Sequence, residues 1–140
     1  MILNHMLEMY LLMWISVVAH EIAHYIVAKA IKLKIHSVYI GDRFFSIRFR
    51  KLNISPMIFS GSYVEFFVND IKIKTKFQKI IFFISGPIAN LVMFLVAFLL
   101  REINSMYMEM LMWINIYFFI ANVFPFFIRK NDIGKLKKYI

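Results

Sequence analysis

Three apolar stretches, at residues 6–30, 80–100 and 108–128, are each about as long as a bilayer is thick, and they dominate a chain of only 140 residues. A helix needs about 20 residues to cross ~30 Å of hydrocarbon. With 61% hydrophobic and 18% aromatic residues, a water-soluble fold of this size has no interior large enough to hide them. A soluble domain and a disordered chain are both excluded. The expected fold is an α-helical membrane protein with three transmembrane helices. There is no cysteine, so disulfides and thiolate metal sites are excluded, and a metal would have to be held by His, carboxylate, backbone or water.

Three spans put the termini on opposite sides, and charge says which. No Lys or Arg precedes the first span; eleven lie from Lys29 to Lys79, one at Arg101, and five from Arg129 onward. The positive-inside rule therefore places the N-terminus outside and both basic segments, including the tail from 129 to 140, in the cytoplasm of a multi-pass cell-membrane protein. Without a basic n-region, the opening segment does not read as a cleaved signal peptide. The net charge of +9 flanks membrane spans, where anionic headgroups attract it, so nucleic acid is not an expected partner.

Between the first two spans, about 35–76, the pattern changes. Phe45, Ile47 and Phe49 alternate with Ser46, Arg48 and Arg50, and Ile71 and Ile73 with Lys72 and Lys74. A period of two means strand. With Gly41, Pro56 and Gly61-Ser62 as punctuation, two or three short strands are expected, forming a small sheet or hairpin at the cytoplasmic membrane surface. No repeat or linker divides the chain, so residues 1–140 read as one unit.

The first span carries His20-Glu21-Ile22-Ala23-His24. Positions i and i+4 share a helix face. Two imidazoles one turn apart can both reach one Zn2+, and the Glu between them lies where it can take a proton from water. Three ionisable groups in five residues at membrane depth are costly, and by default they mark a functional site. Counting along the helix puts His20 within the hydrocarbon but nearer the cytoplasmic side.

Two histidines leave a catalytic zinc one protein ligand short. His5, Glu8, Glu102 and Glu109 belong to the outer side, and His36, Asp42, Glu65 and Asp70 to the strand segment or its edges. Asp132 sits at the inner end of the third span, after Pro125, which stops that helix near the depth of the histidines and lets the chain turn back into the bundle. It is the expected third ligand. Asn115 and Asn122, seven apart, share a face and are expected to bond between helices or around the site. In the second span, Gly86 and Pro87 permit close approach and loosen the backbone ladder. Asn90 supplies an amide near the metal's depth, suited to substrate backbone or water.

Together these segments resemble the site-2 protease family of intramembrane zinc metalloproteases, as a minimal three-helix core. Val17 to His24 followed by Ala28 resembles its first core helix, and Tyr39-Ile40-Gly41 the stretch shortly after. Gly61-Ser62-Tyr63-Val64 is similar to its GGYV strand, Ile84 to Asn90 to its AGPxxN helix, and Asn122, Pro125 and Asp132 to its NxxPxxxLDG element. The resemblance implies that one zinc is bound by His20, His24 and Asp132, and that Glu21 activates water. It also implies a transmembrane or membrane-proximal substrate segment of another protein, cut near the cytosolic side. Gly61 to Val64 is the expected edge for pairing with an unwound substrate. The alternative reading is a non-catalytic membrane binding protein of the same fold that sequesters or protects a partner segment. Self-association is compatible with either.

Overall fold

The computed structural model describes residues 2–41, 46–56, 63–66, 68–103 and 105–124. The first helix, α1 (Ile2–Ala30), runs 29 residues with no glycine or proline to break it, about 43 Å at 1.5 Å per residue. Its surface is inverted relative to a water-soluble helix. Leu11, Ile15, Ile22 and Ile26 are exposed, whereas Ser16, His20, Glu21, His24 and Ala28 are buried. A hydrocarbon solvent selects this arrangement, with apolar side chains outside and ionisable ones turned to the bundle interior.

The helix ends in a Schellman motif: Leu33 N–H donates to Ala28 O (2.8 Å) and Lys32 N–H to Lys29 O (3.0 Å). Lys32 takes the left-handed conformation this requires, with φ 55°, a position usually given to glycine. Buried Leu33 and Ala28 close the turn with an apolar contact.

The chain then turns back along α1. Strands β1 (Ile35–Ile40), β2 (Ile47–Phe49), β3 (Leu52–Ile54) and β4 (Tyr63–Phe66) form a four-stranded sheet in the order β2-β3-β1-β4. The expected sheet between the first two spans is present, with one strand more than the hydropathy pattern resolves. β1 pairs in parallel with β3, in the register Val38 to Leu52, and antiparallel with β4, Tyr39 opposite Tyr63. β2 and β3 form a hairpin whose tight turn holds Arg50 at φ 56°. Leu33, Ile35, Val38 and Ile40 make the core with Ala28, Ile71, Phe82 and Phe83. Trp14 Nε1–H donates to Ser55 O at 3.2 Å, so the sheet stands along the flank of α1, from its last turn to the level of Trp14.

The alternation at 71–74 is not a strand. Val68–Lys72 is a short helix, α2, and the two isoleucines part company: Ile71 is fully buried while Ile73 is 78% exposed. In a strand, residues two apart would share a face; four residues are too few for that period to be told from one helical turn. Asp70 of α2 accepts the Lys34 backbone N–H at 2.7 Å, tying α2 to the end of α1.

Helix α3 (Lys76–Leu100) starts at a capping box. Gln78 N–H donates to Thr75 Oγ1 and the Thr75 N–H to Gln78 Oε1, satisfying two orphan donors. A short link leads to α4 (Ser105–Val123), which forces α3 and α4 into antiparallel contact. Tyr107 Oη donates to Glu8 Oε1 at 2.9 Å, setting the start of α4 beside the start of α1. α4 ends at Val123, just before Pro125, a residue that disfavours helical geometry in the one preceding it. These three long helices are each long and apolar enough to cross a membrane.

Lys32→Gly relieves the left-handed strain without touching the Schellman bonds. It should stabilise the protein by about 1 kcal/mol, read as a raised unfolding temperature in detergent micelles; an unchanged or lowered temperature would contradict the strain.

Candidate metal centre

The helical period brings His20 and His24 onto one face of α1. Their ring centroids lie 4.9 Å apart with the planes 77° from parallel. Both rings are buried, as is Glu21 between them in sequence. Opposite them, α3 passes at Gly86, where a β-carbon would collide with Nε2 of both histidines. The missing side chain therefore makes a hollow on which both Nε2 atoms converge. Pro87, next along, lacks the N–H that would bond the carbonyl one turn back, which loosens the ladder of α3 beside the site.

The opposite nitrogen of each ring is held by hydrogen bonds. His24 Nδ1 lies 2.8 Å from Phe82 O and 3.0 Å from Ser85 Oγ, whose hydroxyl donates to the same Phe82 O at 2.8 Å. A carbonyl only accepts, so His24 carries its proton on Nδ1. His20 Nδ1 lies 2.5 Å from Asn90 Oδ1. The Asn90 amide donates from Nδ2 to Asn115 Oδ1 (2.9 Å) and toward Ser16 O (3.4 Å). Asn115 Nδ2 in turn donates to Ser16 Oγ (2.9 Å) and Leu111 O (2.8 Å), and Ser16 Oγ donates to Leu12 O (2.8 Å). Because the network terminates in backbone carbonyls, every proton in it has one direction. His20 is thereby fixed as the Nδ1–H tautomer as well. With Nδ1 protonated a neutral ring keeps its lone pair on Nε2, which is the form an imidazole must take to bind a metal, and both Nε2 atoms lie beside Gly86.

The donor set fits a divalent ion as far as it is described: two neutral imidazole nitrogens converging on one hollow, their outer nitrogens oriented, and a buried carboxylate in the same turn. Among the described residues no group of three His, Asp or Glu could hold a metal. Asp132, Pro125 and Gly61 lie outside the described residues. Backbone pairing puts Tyr63 on β4, an outer strand of the sheet. Asn90 is brought to the centre, but its amide is engaged on both sides, by His20 and by Asn115, so it orients a ring where substrate backbone or water had been the expected partner. Asn115 bonds between helices, whereas Asn122 Nδ2 donates to Phe118 O of its own helix at 3.0 Å.

Ser16 and Ser85 were missed as members of the site. A signal existed for Ser16, which stands four residues before His20 and eight before His24, a polar side chain on the same stripe of an apolar helix. Ser85 stood in view beside Gly86, but nothing in its neighbours says that its hydroxyl faces His24.

The centre and its setting define a class: a bundle of helices long and apolar enough to cross a membrane, with an HExxH pair, the sequence pattern of metallopeptidases, turned into a buried polar seam. The chain matches the profile of peptidase family M50 over residues 8–106. That span takes in α1 from Glu8 onward, the sheet, α3 and the first two residues of α4, and the chain belongs to this family, the site-2 protease family. A search of individually curated proteins returned no match.

Gly86→Ala should overpack the hollow, costing about 1–3 kcal/mol of stability and leaving purified protein with little zinc. Asn90→Ala frees the His20 ring and should weaken zinc binding about 10–100-fold in a chelator competition, the fold being retained. Wild-type affinity in either variant would contradict the geometry.

Proposed function

We propose that the chain is an intramembrane zinc metalloendopeptidase that cleaves transmembrane or membrane-proximal segments of other proteins. The observation that carries this reading is the convergence of His20 Nε2 and His24 Nε2 over Gly86 with Glu21 buried in the same turn. Membership of peptidase family M50 points the same way. His20 and His24 would hold one zinc, with Asp132 after α4 as the third ligand. Bound there, zinc polarises both a water molecule and the scissile carbonyl.

Glu21 does the proton work. Its carboxylate takes a proton as the water oxygen adds to the carbonyl carbon, then passes that proton to the nitrogen as the C–N bond breaks. Asn90, Ser85 and the Phe82 carbonyl hold the two rings in the required tautomer. The apolar shell of the bundle keeps bulk water from the site, strengthening each of these interactions. A helical substrate hides its carbonyls in internal hydrogen bonds, so it must unwind to be cut, and the outer edge of β4 offers an unwound segment a strand to pair with. The basic segments that follow α1 and α4 in the sequence support a topology with the N-terminus outside and the tail in the cytoplasm.

Glu21→Gln is nearly isosteric. Co-expressed with candidate membrane proteins, wild type should yield a cleavage fragment that Glu21→Gln does not, while both variants purify with equal zinc. Full turnover by Glu21→Gln would refute the general-base role. Zinc-free wild-type protein that protects a partner from cleavage would favour the non-catalytic reading.

A further inference from the structure

Where α1 leaves its apolar stretch, Tyr25, Lys29, Leu33, Lys34, Ile35 and Lys51 line an open cavity of about 320 Å³. Its floor is apolar, since Leu33 and Ile35 are buried, and its rim carries three lysines. Two of the ammonium groups are held by neutral partners: Lys29 Nζ lies 4.8 Å from the centroid of the Tyr25 ring, and Lys51 Nζ donates to Ile35 O at 2.9 Å. Among the described residues no carboxylate lines the cavity. Asp70 is the nearby acid, and its Oδ2 accepts the Lys34 backbone N–H. Among the described residues the rim is therefore ordered without being neutralised.

Helix arithmetic shows what the cavity opens onto. On α1, Ile22, Ile26 and Lys29 follow one another at steps of four and three and so share a face. Leu11 and Ile15 extend that stripe, and all four apolar members are about half exposed. One face of the helix thus carries an apolar track that ends at an ammonium group beside the cavity. A ligand with an anionic head and an aliphatic tail matches both halves, whereas a free anion matches only one. The height is also right, because the cavity lies at the last turn of a span-length helix, where headgroups meet hydrocarbon.

We propose that this cavity is a binding site for the anionic phosphodiester headgroup of a phospholipid, whose acyl chain lies along Ile26 and Ile22. Lys29, Lys34 and Lys51 pair with the phosphate, and the apolar floor receives the glycerol end. Basic pockets at this height are a general means of lipid recognition. The site needs neither zinc nor peptidase activity to exist.

Full-length protein in nanodiscs of phosphatidylcholine, with or without added phosphatidylglycerol, tests this by native mass spectrometry of retained lipid. Wild type should keep one phosphatidylglycerol, and each lysine neutralised among Lys29→Gln, Lys34→Gln and Lys51→Gln should weaken retention about fivefold. Lys29→Arg and Lys51→Arg should retain it. Lys76→Gln with Lys79→Gln, which removes two charges elsewhere on the basic flank, should leave retention unchanged. If that control loses as much as Lys29→Gln with Lys51→Gln, attraction is diffuse and the proposal fails. Inorganic phosphate supplies the other arm: should it displace phosphatidylglycerol and raise the unfolding temperature equally, the site belongs to a free anion and the lipid assignment is overturned. Lys34→Gln, whose one described bond is through its backbone, keeps the test open if the other variants do not fold.

Discussion

Everything in this bundle answers to one constraint: ionisable side chains placed in hydrocarbon must find partners within the protein. An uncompensated imidazole or carboxylate at the bilayer centre costs several kcal/mol. For the two histidines the cost is met by a polar seam shared among three helices. Ser16 on α1, Asn90 and Ser85 on α3 and Asn115 on α4 bond to the histidines or to one another. The bonds end on carbonyls that helix geometry leaves able to accept a second donor. Hydrocarbon gives apolar faces no reason to associate with each other, so in a membrane this seam and the close approach at Gly86 are what hold the helices in register.

The same bonds that satisfy the seam also fix its chemistry. Nδ1–H is the tautomer that satisfies Phe82 O and Asn90 Oδ1, and it leaves Nε2 as the lone-pair face of each ring. Folding and metal competence are therefore one requirement. A glycine at position 86 is needed for both, because any β-carbon would collide with the two Nε2 atoms that border that space.

How much of this could be read from the residues follows from the range of each interaction. The three spans and the HExxH pair are local patterns, length and i,i+4 spacing, and both survive in the structure. Gly86 and Asn90 were legible as site residues because small and amide side chains in an apolar helix are conspicuous, yet the role expected of Asn90 was displaced. Its amide is engaged by Ser16 and Asn115, partners 74 and 25 residues away, and no local pattern encodes such a meeting. Four residues of alternation at 71–74 supported a strand only because the burial that separates Ile71 from Ile73 is set by packing against α1 and β1. The parallel pairing of β1 with β3 was likewise out of reach, since strand order comes from the crossover and not from the period.

Asn115 also sets the depth at which α4 ends. α4 is largely exposed, and Asn115 is its one buried polar side chain among those described. Its bonds to Ser16 and Asn90 fix the height and rotation of α4 against the histidine-bearing helix. Asn122 follows two turns later, and α1 and α4 run in the same direction from the Glu8–Tyr107 contact. Seven residues past Ser16 on α1 lies Ala23, between His20 and His24, so α4 reaches the depth of the histidines as it ends before Pro125.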